Sequence, residues 1–288
     1  MSGRLLVFGP GYSARRLARR LIAHGWEVTG TLRRPEAAAA LEAEGITPLI
    51  WPGTEVEPAL ARASHVLVSV PPGPEGDPVL AGLGSALAQA GHLAWVGYLS
   101  TTGVYGDHAG AWVDEDTPTA PGSARAAARV TAEEGWARVC AAAGVPLTVF
   151  RLAGIYGPGR SPFGRLHDGT ARAIVKPGQV FSRIHVDDIV QAVAASMERP
   201  GAVDVVNLAD DLPAPPEEVL WYAADIAGLP RPPAIAWEDA DLSPMARSFY
   251  ADCRRVRNTR LKDDLGVRLI HPEYRSGLSA TLAEEGTG

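Results

Sequence analysis

Cysteine is almost missing from this 288-residue chain. Cys140 and Cys253 are the only two, far apart and in no metal-ligand spacing. That excludes a disulfide-stapled scaffold and a cysteine-based zinc module, and it fits a reducing compartment. No apolar run approaches the roughly 18 residues that a membrane span needs. Leu5–Phe8 is too brief for a secretory leader and leads to no small-residue cleavage site, so the expectation is a cytoplasmic protein. Excess positive charge is lacking too: the net charge is −6, which argues against general affinity for nucleic acid or anionic membranes. No histidine–carboxylate cluster has metal spacing along the chain, so no metal is expected. A serine nucleophile finds no Gly-x-Ser-x-Gly elbow.

What is present is ordinary for a folded domain, with 46% hydrophobic and 21% charged residues. Short apolar runs alternate with amphipathic helices, the pattern of a parallel α/β sheet. Strands are expected at Leu5–Phe8, Val28–Thr31, Pro48–Trp51, His65–Val70, Leu93–Leu99 and Pro146–Phe150, with a returning strand at Val203–Leu208. They are nearly continuously hydrophobic, as strands covered by helices on both faces must be. Helices are expected at Pro35–Glu44, Pro78–Ala90, Ser123–Ala143, Asp187–Glu198, Pro216–Ala227 and Glu273–Ala283, and Asp187 is read as an N-cap. Before these, Ala14, Leu17, Ala18, Leu21 and Ile22 fall on one helical face, with Arg15, Arg16, Arg19 and Arg20 opposite. Those arginines serve either a phosphate or, in the simpler reading, a solvated face. Beyond Arg151 the chain becomes richer in proline and glycine. The expected fold is therefore a doubly wound parallel Rossmann sheet with a small C-terminal substrate lobe. Residues 1–155 would form the dinucleotide-binding domain, and residues 156–288 the lobe plus returning sheet and helix elements.

The segment Leu5-Leu6-Val7-Phe8-Gly9-Pro10-Gly11-Tyr12-Ser13-Ala14 runs a buried strand through Gly-x-Gly-x-x-Ala into a helix. Gly9 permits the tight turn, Gly11 lets the backbone approach a pyrophosphate, and Ala14 keeps helix and strand close. The free amides and positive dipole end of the helix then favour phosphate, with Tyr12 and Ser13 lining it. About 20 residues on, NAD-preferring sites place an acid that accepts hydrogen bonds from the ribose 2′-hydroxyl. The second strand here ends Thr31-Leu32-Arg33-Arg34, with no acid. Arginine binds a 2′-phosphate through two parallel hydrogen bonds and carboxylate repels it, so NADP(H) is expected over NAD(H). The alternative is that Arg33 and Arg34 simply face solvent.

Further along stand Leu99-Ser100-Thr101-Thr102-Gly103-Val104-Tyr105-Gly106, Arg151-Leu152-Ala153-Gly154-Ile155-Tyr156-Gly157-Pro158-Gly159, Arg183-Ile184-His185-Val186-Asp187-Asp188 and Arg255-Val256-Arg257-Asn258. With the Gly9 loop, in this order, they resemble the extended short-chain dehydrogenase/reductase superfamily of NAD(P)-dependent epimerases and dehydratases. The chain is similar to an atypical branch: its glycine spacing is one residue short, and Trp51-Pro52 replaces the usual acid after the third strand. The family carries Pro-x-Ser-x-Tyr-x-x-x-Lys, whose matching stretch here runs from Pro121 to Glu133, with Arg125 at the tyrosine and Arg129 at the lysine. The family's tyrosine exchanges a proton with the substrate, aided by the lysine. Guanidinium has no neutral form near pH 7 and cannot join that relay. Arg129 retains the capacity to bond ribose hydroxyls; Arg125 either pairs with an anionic substrate or points to solvent.

The resemblance implies cofactor contacts from Ser69-Val70-Pro71 after the fourth strand and from Gly154 and Ile155 beside the nicotinamide. Thr101 matches the family's hydroxyl that bonds the reacting group, or else it bonds local backbone. Tyr105, Tyr156 and His185 are the remaining candidates for a proton donor; the alternatives are a histidine satisfied by structural hydrogen bonds and tyrosines that shape the site by packing. Arg160, Lys176, Arg183 and Arg247 are the expected substrate contacts. Helices Pro78–Ala90 and Ser123–Ala143 would pair in a dimer, though a monomer is equally compatible. Two functions follow: an NADP-dependent oxidoreductase or isomerase on a small polar substrate, or a catalytically silent NADP(H) sensor.

Overall fold

The computed structural model describes residues 3–286. Seven parallel strands form the central sheet: β1 (Arg4–Phe8), β2 (Glu27–Leu32), β3 (Thr47–Ile50), β4 (His65–Val68), β5 (Trp95–Thr101), β6 (Leu147–Leu152) and β7 (Val205–Leu208). Their spatial order is β3-β2-β1-β4-β5-β6-β7. The order reverses direction between β1 and β4, which is where doubly wound sheets open a crevice at the carboxyl ends of their strands. Register brings those ends level: Phe8 stands beside Val68, Val68 beside Tyr98, and Thr101 beside Leu152.

Helices cover both faces, which is why the strands carry apolar residues at nearly every position. On one face Leu17, Ala18 and Leu21 of helix Tyr12–Ala23 pack with Ile189 and Val193 of helix Val186–Glu198 against Leu5, Val7 and Leu67. On the other, Leu83 and Leu87 pack with Trp136 against Leu6, Phe8 and Val96. Asp77 fastens two helices on that side. Its Oδ1 accepts from the amides of Val79 (2.8 Å) and Leu80 (3.1 Å), capping helix Pro78–Leu87, while its Oδ2 accepts from the Trp136 indole at 2.9 Å.

Residues beyond Leu152 are more ordered than their proline and glycine content predicts. Strand Gly154–Tyr156 pairs in parallel with Arg183–His185, Ala173–Val175 with Ala234–Ala236, and Trp112–Val113 with Arg255–Val256. A third apolar cluster, built from Tyr156, Phe163, Val219, Ala223, Tyr274 and Leu278, gives this lobe its own core. Smaller departures are local. Pro35–Glu44 divides into a 3-10 turn, Pro35–Ala37, and a short helix, Ala38–Glu42. Asp187 is not the N-cap of its helix: the His185 side chain caps it, accepting from the Asp187 amide at 3.2 Å. Of the first helix's arginines, Arg19 and Arg20 are exposed as the solvated-face reading expects, whereas half-buried Arg15 pairs with Glu44 and Arg16 with Asp187 and Glu284. Among the described residues no helix is long and apolar enough to cross a membrane.

Candidate functional site

The turn after β1 is built by its glycines. Gly9 has φ +72°, and a Cβ there would lie 2.6 Å from Val70 Cγ2, so both conformation and packing demand glycine. Its amide donates to the Thr31 hydroxyl at 3.1 Å, fixing the loop to β2. Gly11 is different. It adopts an extended backbone that any residue tolerates, and a Cβ there would find nothing closer than the Gly9 oxygen at 3.9 Å. The protein itself has no reason to keep a glycine there; a ligand lying against the backbone would. The helix that follows has no side-chain cap and no acid in its first turn, so the amides of Tyr12, Ser13 and Ala14 face the crevice with the dipole's positive end. Burial pushes the Tyr12 phenol up to about 12 and its hydroxyl donates to the Pro158 carbonyl at 3.0 Å, which makes it a structural clamp.

Arg33 and Arg34 are exposed at the end of β2. Arg34 reaches only Glu36, at 3.8 Å between exposed groups, and Arg33 has no partner among the described residues. Ser69, Val70 and Pro71 follow β4, with the Ser69 amide donating to the Phe8 carbonyl and the Val70 side chain seated on Gly9. These segments share the crevice edge with Thr101 at the end of β5. Thr101 is half-buried and its Oγ1 accepts from the Gly103 amide at 3.1 Å. Gly154 and Ile155 emerge beyond β6 in the short ladder with Arg183 and Ile184.

Arg125 is exposed near the start of helix Ala124–Ala143. Arg129 folds back on the sheet: its Nη1 donates to the Leu99 carbonyl (2.7 Å) and the Tyr98 hydroxyl (3.1 Å), with the guanidinium 5.6 Å over the Tyr98 ring. Sequence reasoning missed two groups nearby. Asp252 and Arg254 form an ion pair of 3.0 Å. Asp252 Oδ1 is 3.2 Å from where a Cβ on Gly122 would stand, and Arg254 Nη2 is 3.9 Å from the corresponding point on Gly103.

The named proton donors are not equivalent. Tyr105 has no exposed surface. Its hydroxyl accepts from Arg151 Nη1 (3.0 Å) and donates to Asn207 Oδ1 (2.8 Å), within a buried network in which Arg151 also binds Glu133 at 2.8 Å and Ser100 donates to Glu133. Desolvation raises its pKa; it holds β5, β6 and β7 together and is withdrawn as a proton donor. His185 is also buried, and burial, reinforced by His271, lowers its pKa to about 4. It is a neutral cap. Tyr156 lies edge-on to His185 at 5.2 Å, and its buried hydroxyl has no hydrogen-bond partner among the described residues. Desolvation drives its pKa far above the usual range, yet the ring lines a cavity.

That cavity, about 840 Å³, occupies the lobe. Arg160 and Arg183 stand in its wall, as do Arg165 and Arg172, which sequence reasoning passed over. Arg160 joins the cavity to the glycine loop, since its guanidinium lies 5.7 Å over the Tyr12 ring. Arg183 donates to the Phe181 (2.9 Å) and Ala214 (3.0 Å) carbonyls. Lys176 and Arg247 are not in the wall. Both stack on Trp237, at 5.3 and 4.7 Å, and hold the segment bordering the cavity: Lys176 donates to the Tyr250 carbonyl and Arg247 to that of Ala240.

The description of the NAD dependent epimerase/dehydratase family matches residues 84–209. The middle of the chain is thus similar to that family. Protein YeeZ of Escherichia coli (strain K12) is 29% identical over 247 residues, covering 80% of this chain and 85% of YeeZ. A solved structure of a functionally unknown conserved protein from Silicibacter pomeroyi DSS is 56% identical, with TM-score 0.93 and coverage of 98% of this chain and 99% of that one. UDP-glucuronic acid 4-epimerase from Bacillus cereus, solved in complex with NAD, is 16% identical over 99% of both chains at TM-score 0.77, a likeness of fold. Beside that likeness stand the glycine turn and the threonine at the end of β5. Arg125 and Arg129 occupy the positions that the resemblance in sequence matches to the tyrosine and lysine.

Proposed function

We propose that this protein binds NADP(H) in preference to NAD(H) and acts as an oxidoreductase or isomerase on a small polar substrate held in the lobe cavity. The observation that carries the reading is Gly11, a glycine with open space around it at the uncapped start of a helix. A dinucleotide fits that space: pyrophosphate against the amides of Gly11–Ala14, the 2′-phosphate beside Arg33 and Arg34, and ribose and nicotinamide along Ser69–Pro71, Thr101, Gly154 and Ile155. Bound there, the cofactor supplies hydride exchange with the substrate. Thr101 orients the reacting oxygen; its hydroxyl hydrogen has no acceptor among the described residues. Arg160 and Arg183 attract a polar or anionic substrate, and Lys176 and Arg247 keep the Trp237 segment in place beside it. Arg129 acts on the cofactor side by bracing the end of β5.

One observation favours a second reading, the silent NADP(H) sensor. Tyr105, Tyr156 and His185 are all buried, and Arg125 and Arg129 cannot give up a proton. Fluorescence titration with NADPH and NADH tests the cofactor preference. A charge-assisted pair is worth about 1.5–3 kcal/mol, so NADPH binds roughly 10- to 100-fold tighter, and the double substitution R33A/R34A removes the difference. Equal affinities in the unsubstituted protein overturn the preference. Oxidation of NADPH by small polar carbonyl compounds, lost in Thr101→Val, separates the enzyme from the sensor.

A further inference from the structure

Behind the glycine loop, three potential metal ligands converge from separate stretches of chain. His185 ends a short strand, Asp187 opens helix Val186–Glu198, and His271 precedes the C-terminal helix Tyr274–Gly286. One ligand atom from each lies within 4.8 Å of the others. His185 Nδ1 is 3.6 Å and His271 Nε2 3.9 Å from the same oxygen, Asp187 Oδ2. Four-coordinate zinc holds N and O ligands at about 2.0–2.2 Å, which places neighbouring ligand atoms about 3.4 Å apart. The two histidine–carboxylate separations exceed that by about 0.2 and 0.5 Å, and the whole cluster, within 4.8 Å, closes further around an ion. The two imidazole rings stand 4.1 Å apart between centroids, deep in the protein.

The surroundings orient these atoms as a metal site requires. His185 Nδ1 accepts from the Asp187 amide, so this nitrogen carries the lone pair. The proton is then on Nε2, which donates to Thr281 Oγ1 at 3.3 Å. A ligating histidine whose other N–H is anchored in this way is the usual second layer of a metal centre. Asp187 is anchored likewise: Arg16 Nε holds Oδ1 at 2.5 Å, while Oδ2 carries only the longer Nη2 contact of 3.1 Å. An arriving cation exchanges that contact and the 3.2 Å amide bond for ligation, and leaves the Oδ1 anchor intact. The imidazole of His271 faces Asp187 Oδ2 at 3.9 Å, and its backbone amide is fixed by Asp188 Oδ2 at 3.1 Å.

We infer that His185, Asp187 and His271 form a binding site for one divalent transition-metal ion, zinc by ligand type, completed by water. Two imidazole nitrogens and one carboxylate oxygen suit zinc, cobalt and nickel, and disfavour magnesium and calcium. The ion would join the C-terminal segment to the helix beginning at Val186, directly behind Gly157 and Tyr12, since a Cβ on Gly157 would lie 2.7 Å from the Tyr12 hydroxyl and 3.2 Å from His185 Nε2. It is separate from hydride chemistry and does not depend on dinucleotide binding.

The test uses full-length protein stripped with chelator, titrated with Zn²⁺ by calorimetry and with Co²⁺ by visible absorption. The expected result is one ion per chain in the micromolar range or tighter, a higher melting temperature with zinc, no effect of Mg²⁺, and no thiolate-to-cobalt band. His271→Gln should keep the wild-type melting temperature without metal and lose affinity by roughly 100-fold, at least the loss typical of disturbing a metal's outer partners. If His271→Gln melts early, His271→Ala and the cobalt spectrum of the wild-type protein decide. No stoichiometric binding by the wild type, unchanged binding in either variant, or a thiolate band overturns the inference.

Discussion

Substituting the two glycines of the first turn separates a demand of the fold from a demand of the ligand. At Gly9 an alanine must hold φ +72° and place its Cβ 2.6 Å from Val70 Cγ2. The left-handed conformation alone costs about 1–2 kcal/mol, and displacing Val70 adds to it. Gly9→Ala should therefore lower stability by about 2–3 kcal/mol, a drop of roughly 4–10 °C for a chain of this size. At Gly11 the backbone is ordinary and the nearest atom is 3.9 Å away. Alanine is the poorer N-cap, by several tenths of a kcal/mol, but it stabilises by a similar amount through the unfolded chain, about 0.4–1 kcal/mol. The two terms nearly cancel, so Gly11→Ala should melt within about 2 °C of the wild type. Its methyl group, however, occupies the approach to the amides of Tyr12–Ala14. Losing even two charge-assisted hydrogen bonds at about 1.5 kcal/mol each weakens dinucleotide binding by about 100-fold. Thermal melts and NADPH fluorescence titrations of both variants give the answer. A Gly11→Ala protein that melts normally and binds NADPH as tightly as the wild type refutes the reasoning.

The buried Glu133–Arg151 pair, with both side chains 9% exposed, leads to a second expectation. Glu133→Ala strands a guanidinium inside the protein and should cost about 3–5 kcal/mol in chemical denaturation; a loss under 1 kcal/mol would show that the network carries no such strain. Asp210 leads to a third. Burial raises its carboxyl from 3.8 to about 8, against the pull of Arg183, and Oδ2 has no hydrogen-bond partner among the described residues. The folded state thus keeps a proton that the unfolded chain releases near pH 4, so this group's stabilising contribution is full below that pH and is lost as pH rises to about 8. Asp210→Asn should flatten that slope and be more stable than the wild type at pH 8 by a few kcal/mol, with no advantage at pH 4. Parallel stability curves across this range would contradict the assignment.

The central sheet was legible because each strand is a run of apolar residues long enough to show, and observed boundaries fall within about two residues of those read from sequence. The glycine turn was legible because its chemistry is local. The lobe was not: its paired strands are only two or three residues long, too short for periodicity to register, and their partners lie far along the chain. The same distance hid His271, which comes beside Asp187 only through the docking of the C-terminal segment, and the Asp252–Arg254 pair beside Gly122 and Gly103. Tyr105 is the opposite case. Its neighbours in sequence suggest a site, while its hydroxyl is claimed by Arg151 and Asn207 from two other strands. Asp187 looked like a cap because Asp commonly is one; the histidine two residues earlier reaches the amide first.

A crystal structure of the protein grown with NADP⁺ addresses the central claim most directly. The pyrophosphate should rest on the amides of Gly11–Ala14, with the 2′-phosphate between Arg33 and Arg34. An unliganded turn in crystals soaked to saturation, or a dinucleotide bound elsewhere, would contradict the account.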